Sequence, residues 1–238
     1  MHLLHVSDTH LARQGAPVSH PELPAPQDRL ARVLEVAAPR GPFDAVLLTG
    51  DICDDGSTEA AAAVRRLIES SSPGVPVLAV PGNHDHTESV LSVFGPAPTT
   101  LGPWQVVTAA TNLPMTVEGH AGPVVAALAE VDPARPTLVL MHHPLRSRST
   151  HEWFLLRERH LLTDALTRHT APVVLATGHT HEAFEAVDGL VTHLGAPSTY
   201  YAIVHTGDTW APAAVGTGTG ARLIRLSSDT VASEVLWA

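Results

Sequence analysis

The chain has 238 residues, a formal net charge of −10, and 44% apolar against 16% charged residues. That length suits one large domain or two small ones, and the balance favours a packed core over disorder, while the acidic excess argues against a general nucleic-acid or anionic-membrane surface. A single cysteine, Cys53, excludes an internal disulfide and points to the cytoplasm.

Residues 3–6 read as a first strand, followed by Ser7-Asp8-Thr9-His10. The chain enters this strand without the charged start and long apolar stretch of a signal peptide. Asp8 and His10 can face one point if the chain leaves the strand extended, because side chains i and i+2 share a face. Residues 15–26 are rich in Pro and lack a period, so they read as a surface loop. Leu30, Val33, Leu34 and Ala37 have helical spacing and predict a helix over 27–38.

A second strand over 43–48 contains Val46-Leu47-Leu48, an apolar run suited to burial on both faces, and ends in Thr49-Gly50-Asp51. Ser57 can cap a helix that includes 60–68. Pro73-Gly74 breaks the chain before a third strand over 75–80, which stops at Pro81-Gly82 and presents Asn83-His84-Asp85-His86. A short helix follows over 87–94.

Weaker strands are expected over 104–108 and 115–117, and a helix over 124–129. The apolar run 137–141 ends in His142-His143-Pro144. An amphipathic helix is expected over 153–166. Strand 172–177 ends in Gly178-His179-Thr180-His181. Short strands are expected over 183–187, 190–194, 200–205, 221–226 and 231–237, with a hairpin turn at Val187-Asp188-Gly189-Leu190. No apolar run is long enough to span a bilayer.

The sixteen histidines are many for this length, and several sit where strands end. Singly, each fragment is ordinary: a His at a strand end is more often a satisfied polar side chain than a ligand, and Gly-Asp is a common turn. Together the strand-end groups Asp8-x-His10, Gly50-Asp51, Gly82-Asn83-His84-Asp85, His142-His143 and Gly178-His179-x-His181 form a mixed oxygen and nitrogen donor set. Such a set suits manganese, iron or zinc and lacks the thiolates of a structural zinc site. It holds too many ligands for one metal, but two metals sharing a carboxylate would use them all.

In this order the motifs D-x-H, G-D, G-N-H-D, a later His and G-H-x-H resemble the calcineurin-like metallophosphoesterases, over residues 3–181 and into the trailing strands. Ser7-Asp8-Thr9-His10-Leu11, Met141-His142-His143-Pro144 and Gly195-Ala196-Pro197-Ser198-Thr199 are most similar to the bacterial class III cyclic-nucleotide phosphodiesterases. The resemblance implies an α+β fold, a four-layer αββα sandwich of two mixed sheets flanked by helices, in a single domain over 1–238. It also implies two divalent or trivalent metal ions. Asp8, His10 and His181 would hold one, Asn83, His142 and His179 the other, and Asp51 would bridge them. His143 competes with His142, but the family's later His usually follows the apolar strand directly. His84 would stabilise the transition state or protonate the leaving oxygen, with Asp85 orienting it or supporting the loop, and these are the catalytic candidates.

The implied activity is hydrolysis of small phosphodiesters, 3′,5′-cyclic nucleotides foremost, by attack of a metal-bridging hydroxide. The alternatives are a phosphomonoesterase or nuclease of the same superfamily, or a non-catalytic metal-bound interaction module. No long nucleic acid or membrane partner is expected, and the chain would be a monomer or homodimer.

The remaining candidates have plainer readings. His86 suits a surface or supporting role, although it could touch substrate. His160 and His169 read as solvated, and His193 and His205 as packing groups, with His205 within possible reach of the site. Cys53 reads as a small buried filler. Arg146 and Arg148 could bind a phosphate or base, or belong to a solvated loop. Two departures from the phosphodiesterase pattern, Leu145 after Pro144 and Tyr200-Tyr201 where a Cys is common, bear on nucleotide preference. The tyrosines could stack on a base or pack their strand.

Overall fold

The computed structural model describes residues 1–113, 116–214 and 216–238. Its helices are α1 (Pro26–Ala37), α2 (Thr58–Ser71), α3 (Thr87–Phe94), α4 (Gly122–Leu128) and α5 (Arg159–Leu166). The strands of the first half are β1 (His2–Val6), β2 (Ala45–Thr49), β3 (Val77–Val80), β4 (Thr100–Leu101), β5 (Trp104–Thr108), β6 (Gly119–His120) and β7 (Thr137–Leu140). The second half adds β8 (Leu156–Arg157), β9 (Val173–Thr177), β10 (Phe184–Asp188), β11 (Val191–Gly195), β12 (Ile203–Thr206), β13 (Thr209–Pro212), β14 (Gly220–Leu226) and β15 (Val231–Trp237).

Two sheets carry the molecule. One runs β15-β14-β1-β2-β3, with β1, β2 and β3 parallel and the two C-terminal strands antiparallel at its edge. The other runs β10-β11-β9-β7-β5-β4, parallel except for the outermost strand at each side. Residue alternation along the strands sorts the core into layers. Leu4, Val6, Val46 and Leu48 face α1 and α2, whereas Leu3, Ala45 and Leu47 face the second sheet. Leu138, Leu140, Val174 and Ala176 meet them from across the interface, while Val139, Met141, Val173 and Leu175 turn outward to α4 and α5. The layers are therefore helix, sheet, sheet, helix, as the resemblance implies. Among the described residues no helix is long and apolar enough to cross a membrane.

Local chemistry sets the element ends. Pro26 opens α1, where its missing N–H costs nothing. The Ser57 side chain accepts from the Ala60 N–H at 3.2 Å and starts α2. Gly189, at φ 60°, makes the turn between β10 and β11.

The helix expected over 153–166 is much shorter. Residues Glu152–Phe154 form a 3-10 turn capped by His151, β8 pairs with β6, and Glu158 takes a left-handed φ of 56° that stops any helix from running through it. The strand expected over 200–205 starts at Ile203, because the Tyr200 and Tyr201 N–H groups both donate to Ser198 Oγ and bend the chain. The strand expected over 115–117 begins outside the described residues, and Thr116 and Val117 are in no strand. His169 is buried rather than solvated, since the chain folds back after α5.

The layered core predicts a contrast between two leucines. Leu47→Ala opens a void between the sheets and should cost about 3 kcal/mol in urea unfolding, within the range of roughly 2–5 for buried Leu→Ala changes. Leu161→Ala, on the exposed side of α5, should stay within about 0.5 kcal/mol.

Candidate metal centre

The parallel strands β1, β2 and β3 end on one edge of the first sheet, and β7 and β9 on one edge of the second. The loops that leave them are bonded together. The Asp8 and His10 N–H groups donate to the carbonyls of Gly50 and Asp51, and the Gly178 N–H donates to that of His142. The two sheets join where His142 Nδ1 meets the Thr49 carbonyl at 2.7 Å and the His179 N–H donates to Asp8 Oδ1 at 3.0 Å.

Asp8 and His10 do not converge by extended backbone. Asp8 (φ 54°), His10 (48°), Asp51 (45°), His179 (69°) and His181 (51°) are all left-handed, a conformation that costs side-chain-bearing residues of order 1–3 kcal/mol each. The glycines beside them permit close approach. A Cβ on Gly82 would lie 2.2 Å from Asp51 Oδ1, and one on Gly178 would lie 1.9 Å from Ser7 Oγ and 2.6 Å from Asp8 Oδ2.

Hydrogen bonds from behind fix the tautomers, because a carbonyl only accepts. His142 donates through Nδ1 to Thr49, His179 through Nε2 to the Trp153 carbonyl at 2.7 Å, and His181 through Nδ1 to the Tyr201 carbonyl at 2.8 Å. His10 turns Nδ1 to Asp54 Oδ1 at 3.0 Å. In its neutral form each ring keeps one unprotonated nitrogen facing inward. The bare nitrogens of His10 and His181 lie 3.2 Å apart, as do those of His142 and His179. His142 Nε2 is also 3.1 Å from Asn83 Oδ1 and 3.4 Å from Asp51 Oδ2, and His181 Nε2 is 3.4 Å from Asp8 Oδ1. Lone pairs set against one another in a buried place repel unless a proton or a metal ion lies between them, and the mixed oxygen and nitrogen donors fit metal ions.

The electrostatics agree. Burial opposes ionisation of Asp8 and Asp51, yet His181 pulls the first below its ordinary value and His142 holds the second well below. Burial lowers the His142 pKa, but the charge of Asp51 and its hydrogen bond outweigh this and raise it to about 9. The pocket favours positive charge at that point.

His143 is turned differently. Its Nδ1 pairs with Thr111 Oγ1 at 2.8 Å and its Nε2 donates to the Val117 carbonyl at 2.9 Å, leaving no free nitrogen. Of the adjacent pair, His142 is the one whose bare nitrogen faces the other donors.

His84 lies beside this cluster with its side chain 35% exposed, and its N–H donates to Asp51 Oδ1 at 2.9 Å. Its Nδ1 is 3.4 Å from Asp54 Oδ1. Burial lowers its pKa, but the hydrogen bond to Asp54 and the charges of Asp51 and Asp54 raise it to about 9.

Asp85 does not orient His84. Its carboxylate accepts from the N–H groups of Gly82, Ile52 and Cys53, binding the β2 and β3 loops together. The partner of His84 is Asp54, which the sequence reading passed over although it stands three residues after Asp51. Asp54 also accepts from the Ser19 N–H and hydroxyl, tying in the Pro-rich loop.

The other candidates lie apart. His86 is exposed, and His205 Nε2 donates to the Thr180 carbonyl at 2.8 Å. Cys53 is buried, with its thiol donating to the Ser57 carbonyl. Arg146 pairs with Asp188 and Arg148 with Glu182, and both line an 850 Å³ groove beside α5 and β10 that lacks the converging donors of the metal centre.

The close approach at Gly178 generates a prediction. Gly178→Ala should weaken metal binding about ten- to hundred-fold in chelator competition, as changes behind metal ligands commonly do. Gly189→Ala, with nothing within 4 Å of its added Cβ, should leave metal binding unchanged.

Comparison with known proteins places this geometry. The chain is 29% identical over 182 residues to a probable cyclic nucleotide phosphodiesterase of Synechococcus sp., covering 72% of this chain and 70% of that one. It is 29% identical over 212 residues to the 3′,5′-cyclic adenosine monophosphate phosphodiesterase CpdA of Pseudomonas aeruginosa, covering 83% and 75%. Its fold matches the crystal structure of a dimetal phosphatase from Danio rerio with a TM-score of 0.70 at 13% identity, covering 99% and 95%. The calcineurin-like phosphoesterase family model matches residues 1–183, more than half of the chain, and with this fold around those motifs the chain belongs to the calcineurin-like phosphoesterase family.

Proposed function

We propose that the chain is a dinuclear metal-dependent phosphodiesterase acting on small phosphodiesters, 3′,5′-cyclic nucleotides first among them. The observation that carries this reading is the pair of inward-facing bare imidazole contacts, His10 with His181 and His142 with His179. In this reading residues 1–238 form one catalytic domain, whose last strands complete the first sheet beside β1.

Asp8, His10 and His181 would hold one ion, Asn83, His142 and His179 the second, with Asp51 shared. The oxygen and nitrogen donors suit manganese, iron or zinc, and the buried Cys53 thiol stays outside the set. When bound, such an ion pair lowers the pKa of water and polarises phosphoryl oxygens, drawing a phosphodiester anion to a locally positive point on an acidic protein.

The chain's own residues supply the rest. His84, protonated and aligned by Asp54, donates to the phosphoryl group or to the departing oxygen. Asp85 keeps the loop that carries His84 in register. The relatives named for cyclic-nucleotide cleavage, together with the net negative charge, support a small substrate over a long nucleic acid. The single buried cysteine accords with a reducing cytoplasm.

The manganese-loaded protein should hydrolyse bis(p-nitrophenyl) phosphate and cyclic AMP, and chelation should abolish both activities. His84→Ala should retain its metal yet lose about 10²–10⁴-fold in kcat. Turnover of p-nitrophenyl phosphate alone would move the protein to the phosphomonoesterases. No turnover with any of several metals, with two ions bound, would overturn the reading.

A further inference from the structure

Tyr200 and Tyr201 follow the loop that bends at Ser198, and their hydroxyls have different surroundings. The Tyr200 ring is buried and its O–H donates to the His20 carbonyl at 2.7 Å, which ties down the Pro-rich loop. The Tyr201 backbone belongs to the metal centre: its carbonyl orients His181 and its N–H donates to Ser198 Oγ. Its ring lies edge-on to His181 and to His20, with centroids 4.3 Å away in each case, and 5.6 Å from that of His10. The ring thus packs against His181 and lies near His10, two of the residues that would hold the first metal.

Among the described residues the Tyr201 hydroxyl makes no hydrogen bond, and the ring is only partly exposed. A phenol of ordinary acidity keeps its proton at neutral pH, so the hydroxyl is a donor there. This O–H has no protein acceptor among the described residues and is free to bond a group that enters the cleft. A tetrahedral phosphoryl group brought into the cleft supplies an acceptor.

We propose that the Tyr201 O–H is a catalytic hydrogen-bond donor that binds a non-bridging phosphoryl oxygen. This rests on the phosphoesterase reading of the site. The donor is placed independently of His84, which approaches from the β3 loop, so the two groups would hold different oxygens of the same phosphoryl group.

The experiment compares Tyr201→Phe and Tyr200→Phe with the wild type. It measures metal content, thermal midpoint, turnover of bis(p-nitrophenyl) phosphate, and equilibrium binding of orthovanadate to the manganese-loaded proteins. Tyr201→Phe should keep its metal and its midpoint, lose about 10²–10³-fold in kcat, as loss of one donor to a developing oxyanion does, and bind orthovanadate at least about ten-fold more weakly. Tyr200→Phe should lower the midpoint without that loss of vanadate affinity. Unchanged kcat and vanadate affinity in Tyr201→Phe would overturn the proposal, as would a loss of activity fully explained by lost metal. A wild type that holds two ions but cleaves no ester would overturn the phosphoesterase reading alone, because the vanadate measurement still decides whether the hydroxyl binds an oxyanion.

Discussion

The left-handed backbone at Asp8, His10, Asp51, His179 and His181 is the constraint on which the centre depends. Strained conformations persist only where the surrounding structure over-determines them. Here the restraint comes from backbone hydrogen bonds between neighbouring loops, from carbonyls behind the imidazoles, and from glycines that let Asp51 lie against the β3 loop and Asp8 against the β9 loop. Relaxing any one of these turns would swing a donor atom out of the cluster. The same turns explain why the donors are so closely packed: an extended exit from β1 would carry His10 past the seam instead of back across it.

The seam between the sheets gives the centre its rigidity. Through their carbonyls Thr49 and Trp153 each set the tautomer of a histidine from the second sheet. The apolar layer of Leu3, Leu47, Leu138 and Leu140 holds the two strand edges at a fixed separation beneath them. Asp54 has a comparable role on the solvent side, where one oxygen serves His10, His84 and Ser19. The orientations of His84 and His10 therefore share a single atom.

Much of this was legible in the sequence, for identifiable reasons. Strands buried on both faces announce themselves as apolar runs, so 3–6, 137–141 and 172–177 were found with at most a residue of error. Asp8, His10, Asp51, Asn83, His142, His179 and His181 stood out because donor side chains seldom follow so many apolar runs. Backbone contributions were not legible. The segment around Trp153 has helical spacing, and only the left-handed turn at Glu158 and the pairing of β8 with β6 reveal that it gives up helix to hold His179. Asp54 was missed because a second acidic residue after Gly-Asp looks like ordinary solvated loop. Asp85 sat in the motif beside His84, but adjacency in sequence did not amount to contact in space.

The cluster draws on residues as far apart as Asp8 and His179, 171 positions along the chain. Their convergence requires parallel crossovers in both sheets and then the docking of one sheet on the other, and such non-local closure is slow because loop entropy is lost before contacts form. The centre is thus among the last features to exist during folding, and an ion that recognises it selects the finished topology rather than guiding its assembly. Scattered histidines in the unfolded chain can still compete for the same ion and diminish that selection. Metal supply would then act on the lifetime of the native fold more than on the speed with which it is reached.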